Sequence, residues 1–216
     1  MTGKFISFEG PDGAGKTSVL HAILDRLTPM LGEQLVITRE PGGRDNQVAE
    51  AIRDLVLSPA YPAMDPWTEA MLYAAARRQH VVETIRPALA DDKVIISDRY
   101  LDSSIAYQGG GRELGAERVA DLNQYATNGL QPQATIYLDL APEVGLARIQ
   151  ATRQDEINRL DVEALAFHQR VSAAYHDLIA ADPDRFWVID ASQPLEKVVA
   201  DAWDAMQHIL TLPTEA

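Results

Sequence analysis

Short apolar runs rich in β-branched or aromatic residues recur along the chain at Phe5–Phe8, Leu35–Thr38, Val94–Ser97, Thr135–Leu138 and Trp187–Ile189. Each closes on a polar or charged residue and shows no strict alternation, the pattern of a strand covered on both faces. Between them, apolar residues return with helical period near 16–31, 45–57, 66–90, 116–127, 142–152, 161–181 and 194–210. Alternating strands and helices predict an α/β fold with a five-stranded parallel sheet flanked by helices on both faces. Ligands of such sheets gather at the carboxyl ends of the strands. The charged residues that close these strands, Glu9, Arg39-Glu40, Asp98-Arg99, Asp139 and Asp190, mark that rim as the active site.

The first strand runs into Gly10-Pro11-Asp12-Gly13-Ala14-Gly15-Lys16-Thr17, followed by Ser18 and a helical pattern. This is the G-x-x-x-x-G-K-[ST] spacing. Its glycines let backbone N–H groups approach polyphosphate oxygens, the helix N-terminus faces negative charge, and a lysine and a hydroxyl follow. Lys16 is the candidate cation for a donor phosphate and Thr17 a candidate ligand to Mg²⁺. Asp98, closing the apolar run Val94–Ser97, is the candidate acid for holding the same ion through water.

Composition narrows the partners. A net charge of −13 argues against a chain that grips nucleic acid or an anionic membrane over a wide surface. The cations are fifteen arginines against four lysines, and the planar guanidinium fork suits bidentate phosphate binding in a dry site. There are no cysteines, so disulfides and thiolate metal sites are excluded, and the five histidines show no metal-ligand spacing. No apolar stretch reaches bilayer length and the N-terminus runs straight into the first strand, which leads us to expect a cytoplasmic protein. The length of 216 residues suits one domain, and Ser58–Pro62 reads as a loop between helices. The polar segment 151–159 has two readings, a flexible flap or a solvated loop.

Arg39-Glu40-Pro41-Gly42-Gly43 follows the second strand, where proline and paired glycines force a turn that presents a guanidinium at the rim. Arg99 stands at the end of the third strand. For either arginine taken singly a surface ion pair is the commoner explanation; two of them at strand ends beside one phosphate cradle point instead to a second phosphate.

With these stretches, Tyr73…Arg77, and Asp98-Arg99-Tyr100-Leu101-Asp102-Ser103-Ser104-Ile105-Ala106-Tyr107-Gln108-Gly109, nearly the whole chain resembles the bacterial thymidylate kinase family. The resemblance implies a P-loop nucleoside monophosphate kinase fold over 1–216 with a lid at about 148–160. It implies transfer of the γ-phosphoryl of ATP to dTMP, Mg²⁺ as cofactor, and a homodimer. Gly10, Asp12, Gly13, Ala14, Gly15, Lys16, Thr17 and Ser18 would then bind ATP, and Arg39 and Arg99 the dTMP phosphate. Tyr73 would stack on thymine where phenylalanine is usual, and Arg77, one helical turn on, would bond the base, the alternative for that pair being an exposed Tyr–Arg stack. Ser104 and Gln108 would face the pyrimidine edge, Tyr107 the sugar where a 2′-hydroxyl would clash, and Asp12 the 3′-hydroxyl. No basic residue stands between the P-loop glycines here, so the resemblance assigns that charge to the lid, to Arg153 or Arg159.

A phosphate acceptor is already largely deprotonated at neutral pH. No catalytic base is required, and the task is to neutralise two polyanions with Lys16, Arg39, Arg99, a lid arginine and Mg²⁺. Two rival classes are a kinase of another nucleotide or nucleoside and a nucleotide-binding switch. The N-K-x-D guanine motif is absent.

Overall fold

The computed structural model describes residues 3–152, 160 and 163–212. Five strands, β1 (Lys4–Glu9), β2 (Leu35–Arg39), β3 (Val94–Asp98), β4 (Ala134–Asp139) and β5 (Phe186–Asp190), form one parallel sheet in the order β2-β3-β1-β4-β5. The strands begin and end within two residues of the apolar runs that predict them. All of β1 from Phe5 to Glu9 is buried, as expected of a central strand covered on both faces.

The order places β1 between β3 and β4, so the chain leaves the centre in opposite directions and a crevice opens at the carboxyl ends of these strands. Register brings the rim together: Arg39 lies beside Asp98, Phe8 beside Asp98, Glu9 beside Tyr137, and Asp139 beside Asp190.

One face of the sheet is covered by α1 (Lys16–Leu31) and α9 (Leu195–Leu210), whose Val19, Ile23, Leu27, Trp203 and Met206 pack on Ile6, Phe8 and Ile136. On the other face Phe5 and Ile95 meet Val81, Ile85, Tyr100 and Val119. Those residues belong to, or flank, α3 (Pro66–His80), α4 (Arg86–Ala90), α5 (Leu101–Ser104) and α6 (Ala116–Thr127). A third cluster joins Tyr107 and Tyr137 to Phe167, Val171 and Tyr175 of α8 (Leu165–Ala181). The remaining helices are α2 (Gln47–Leu57) and α7 (Pro142–Thr152). Asn46 and Asp65 cap α2 and α3 by accepting from Ala49 N–H at 2.9 Å and Thr68 N–H at 3.0 Å.

Two differences from the sequence pattern matter. The helical run 66–90 is interrupted by a π-helical turn, Val81–Ile85, immediately before α4, whose Pro87 has no N–H to continue the ladder. The segment after β3, for which periodicity predicts no helix, is helical, with α5 followed by a π-helical turn at Ile105–Gly111. Its glycines defeat helix propensity, yet tertiary packing needs them: a Cβ on Gly110 would press on Ala174, and one on Gly111 on Phe167 and Val171 of α8. That turn carries Tyr107 and Gln108.

Candidate active site

β1 ends in a loop whose backbone only glycine tolerates. Gly13 has φ +80° and Gly15 φ +88°, the left-handed region. A Cβ on Gly13 would run into the backbone of Gly145, and one on Gly145 into the carbonyl of Asp12, so this glycine pair lets α7 lie against the loop. Lys16 opens α1 and folds its Nζ back to donate to the carbonyls of Gly10 and Pro11, both at 2.9 Å. Burial, with Arg99 nearby, lowers its pKa to about 8 against the opposing pull of Asp12, Asp98 and Glu9. Thr17 and Ser18 follow in the first helical turn and line a cavity of about 570 Å³ with Asp12, Gly13, Gly15 and Lys16. Asp98 lines the same cavity, and its Oδ1 is buried with no hydrogen-bond partner among the described residues.

Arg99 leaves β3 with φ +69°, which turns its side chain across the sheet toward the loop. Its Nη2 donates to Asp12 Oδ1 at 2.7 Å and its Nη1 to Gly10 O and Ser103 Oγ, each at 3.1 Å. Tyr107 donates to the other Asp12 oxygen at 2.7 Å. Burial opposes ionisation of Asp12, but Arg99, Lys16 and the Tyr107 hydroxyl hold its pKa down to about 2. Burial works against the Arg99 charge as well, and Tyr107, Asp12, Tyr175 and Glu9 around it hold its pKa above the ordinary value. Behind this layer sits Glu9, fully buried, accepting from Tyr100 N–H at 2.7 Å, Ser103 Oγ at 2.6 Å and Tyr175 Oη at 2.8 Å. Burial and the facing charge of Asp102 push its carboxyl up to about 7 despite Arg99 and these donors.

The turn after β2 is pinned by Glu50 of α2. Its Oε1 accepts from the N–H groups of Gly43 at 3.0 Å and Arg44 at 2.8 Å, while its Oε2 holds Arg39 Nη2 at 2.9 Å. Arg53 donates to Pro41 O at 2.7 Å and faces the cavity beside Arg39. Deeper in, Tyr73 and Arg77 of α3 are both buried, which removes the exposed-stack alternative for that pair. Arg77 donates from Nε to Glu40 Oε2 at 2.6 Å, from Nη1 to Ser104 Oγ at 3.1 Å and to Asn123 Oδ1, and from Nη2 to Tyr100 O at 3.2 Å. His80 bonds the other Glu40 oxygen at 2.9 Å and Thr38 Oγ1 at 2.7 Å, so strand β2 and helix α3 clamp one guanidinium. Four of its five N–H groups are thereby engaged; the second Nη2 hydrogen has no partner among the described residues.

Arg39, Tyr73, Arg77, Arg99, Ser104, Tyr107 and Gln108, which the motifs single out, all line the cavity that holds Lys16, Thr17 and Asp98. Gly10 and Ala14 shape the loop without lining it. Arg153 and Arg159 lie outside the described residues, and so does most of the anticipated lid; residues 148–152 are the last turn of α7. Sequence reasoning placed Glu40 at the rim without giving it a role and missed Arg53 and Arg148; all three face the cavity. Arg148 donates to Ala191 O at 3.2 Å and Gly13 O at 3.4 Å, joining α7 to the phosphate loop. It missed the roles of Glu9 and Gly145 as well. Glu40 and Arg53 carried a signal, being charged residues at a strand end and one helical turn beyond Glu50. Gly145, in an unremarkable helical run, carried none.

A cavity that faces a phosphate cradle with a second group of arginines calls for two phosphate-bearing ligands. On this sheet order that combination defines the P-loop nucleoside monophosphate kinases. The comparisons narrow the class. A family model described as thymidylate kinase matches residues 8–202. The thymidylate kinase of Lactiplantibacillus plantarum is 59% identical over 214 residues, 99% of this chain and 95% of that protein, and that of Levilactobacillus brevis is 59% identical over 94% of each chain. A crystal structure of thymidylate kinase from Ehrlichia chaffeensis superposes with a TM-score of 0.77 at 29% identity, covering 96% of this chain and 99% of the other. The chain belongs to the thymidylate kinase family.

Proposed function

We propose that this enzyme transfers the γ-phosphoryl of ATP to dTMP, giving dTDP and ADP in the synthesis of dTTP, within a single kinase domain. The observation that carries the reading is that Lys16 and Thr17 line one cavity together with Arg39, Arg53 and Arg99. Two polyanions repel each other, and catalysis here is positioning plus charge neutralisation in a water-poor cleft. Lys16 exchanges its bonds to Gly10 O and Pro11 O for phosphate oxygens of ATP, aided by the N–H groups of the loop from Gly10 to Ser18. Arg39, with Arg53 beside it, holds the dTMP phosphate. Arg99 spans from Asp12 to the point where the two phosphates meet.

The deoxynucleoside lies inward. Tyr73 stacks on thymine, the remaining Nη2 hydrogen of Arg77 meets a base oxygen, and Ser104 and Gln108 face the pyrimidine edge. Asp12, held as a carboxylate, accepts from the 3′-hydroxyl, and Tyr107 covers the sugar. Arg153 or Arg159 supplies the remaining cation over the transferring group.

Thr17 and the Oδ1 of Asp98, which has no hydrogen-bond partner among the described residues, would hold a divalent cation shared with polyphosphate. Among the described residues no group of three or more His, Cys, Asp or Glu could cage a metal by itself, which agrees with an ion held chiefly by nucleotide and water. Held there, Mg²⁺ would supply charge neutralisation to the polyphosphate.

A homodimer in the cytoplasm accompanies the family reading. Val48, Leu55 and Met71, exposed on α2 and α3, supply apolar surface for a second copy, and light scattering tests it. Among the described residues no helix is long and apolar enough to cross a membrane. ADP release measured with dTMP, dUMP, dCMP, dGMP and thymidine tests the reaction. Turnover with dTMP well above the other four is expected, and preference for a purine nucleotide or for thymidine would overturn the assignment.

A further inference from the structure

Gln108 lies in the π-helical turn Ile105–Gly111 and is 2% exposed, lining the cavity on its base-facing side. Its Nε2 donates to Oε1 of Glu69 at 2.8 Å. Glu69 belongs to α3, is fully buried, and has Arg112 against both of its oxygens, Nη2 at 3.2 Å from Oε2 and Nε at 3.4 Å from Oε1. Arg112 in turn pairs with Glu163 at 2.5 Å. The guanidinium compensates the charge of a carboxylate that burial would otherwise penalise heavily.

An ionised carboxylate only accepts hydrogen bonds. The two ends of a glutamine amide are nearly equal in shape, and the neighbouring hydrogen-bond network decides which way it faces. A flipped Gln108 would set its carbonyl lone pairs against those of Glu69, so the nitrogen is committed to the carboxylate. The carbonyl oxygen is then the end that meets a ligand.

We propose that Glu69 is a positioning residue that locks the Gln108 amide with its acceptor end toward the cavity. The site thereby selects a pyrimidine bearing a hydrogen on N3 over one bearing a lone pair there. The inference rests on the reading of this cavity as the acceptor-nucleotide site and names what sets its choice of base. A uracil-type ring donates from N3 and presents oxygens at its flanks, matching one acceptor from Gln108 and the remaining donor of Arg77. A cytosine-type ring offers a lone pair at N3 and an amine at C4, so acceptor meets acceptor and donor meets donor. In a buried site mismatched polar groups cannot turn to water, and discrimination of this kind is large.

The test is the ratio of kcat/KM for dTMP to that for 5-methyl-dCMP, which keeps methyl group, sugar and phosphate and changes only the pairing edge. In Glu69→Gln the new side chain can donate to the Gln108 carbonyl and lets the amide reverse. The ratio is expected to fall at least about 10-fold, through a higher KM for dTMP and gained activity on 5-methyl-dCMP, with KM for ATP unchanged. A purely structural role would depress both acceptors alike and leave the ratio at the wild-type value; that result overturns the proposal. If Glu69→Gln does not fold by circular dichroism, Glu69→Gln/Arg112→Gln, which removes both charges of the buried pair, is expected to lower the ratio in the same way, and an unchanged ratio there overturns it equally. A wild-type enzyme that phosphorylates neither nucleotide would refute the reading of the cavity instead.

Discussion

Arg99 donates to Asp12 at 2.7 Å, tying the end of β3 to the phosphate loop that follows β1. Both side chains are mostly shielded, 16% and 18% exposed, and each sets the other's ionisation. With Tyr107 on its second oxygen, Asp12 is a fixed acceptor and its partner a fixed cation. Replacing it with asparagine (Asp12→Asn) keeps the shape and removes the charge. The variant is expected to lose about 10-fold in kcat/KM for dTMP and much less for 3′-deoxythymidine monophosphate, which has no hydroxyl to offer. Equal losses on both acceptors, measured by coupled ADP assay, would deny Asp12 its contact with the sugar.

Lys16 donates its ammonium to two loop carbonyls. Removing it by Lys16→Ala is expected to lower kcat by about 100-fold or more. Folding should survive, since burial already penalises the charge of this amine and lowers its pKa to about 8. Turnover near the wild-type rate would show that the donor phosphates lie elsewhere.

Tyr107 lines the cavity, packed edge-on against Phe167 and Tyr175 at centroid distances of 6.1 and 6.4 Å. Opening that wall with Tyr107→Ala is expected to relax the preference for dTMP over ribothymidine monophosphate by roughly 10-fold. Competitive kinetics with the two acceptors measures the ratio, and an unaltered preference would place ribose discrimination on another residue.

Glu9 makes stability depend on pH in a definite direction. Its carboxyl is raised from 4.5 to about 7 by burial and Asp102, so the folded protein keeps a proton that the unfolded chain releases. The stabilisation this gives is fully present below pH 4.5 and is lost as pH rises through 7. Glu9→Gln is neutral throughout and has no such loss. Relative to that variant, wild type should lose on the order of 3 kcal/mol between mildly acid and mildly alkaline pH. Parallel urea melts of the two proteins check it, and parallel pH profiles would be the contrary result.

Asp98, which lines the cavity with Thr17, has a buried Oδ1 with no hydrogen-bond partner among the described residues. Asp98→Asn is expected to raise the Mg²⁺ needed for half-maximal thermal stabilisation by ADP about 10-fold, a shift readable without turnover. Chelation of Mg²⁺ should abolish that stabilisation in wild type. A metal titration unchanged by the substitution would remove Asp98 from the metal's surroundings.

Much of this was legible along the chain because its signals are local. The strands follow from apolar runs. The phosphate loop follows from glycine spacing, since only glycine takes the φ of Gly13 and Gly15. The rim residues Glu9, Arg39, Asp98 and Arg99 follow from where the apolar runs stop. The helix at 101–111 was not legible, because Gly109, Gly110 and Gly111 disfavour helix and the α8 surface that requires them lies some sixty residues away in sequence.

The sequence by itself determined the sheet, the phosphate cradle and the residue types at the rim, because hydrophobic period, glycine φ and strand ends are properties of neighbouring residues. Only the tertiary structure decided which of those residues constrain one another. It set Glu40 between Arg77 and His80, Glu69 against Gln108, and Asp12 between Arg99 and Tyr107. Each pairing joins side chains from separate elements, and hydrogen-bond direction, buried charge and pKa depend on distances that exist only once the sheet has brought those elements to one rim.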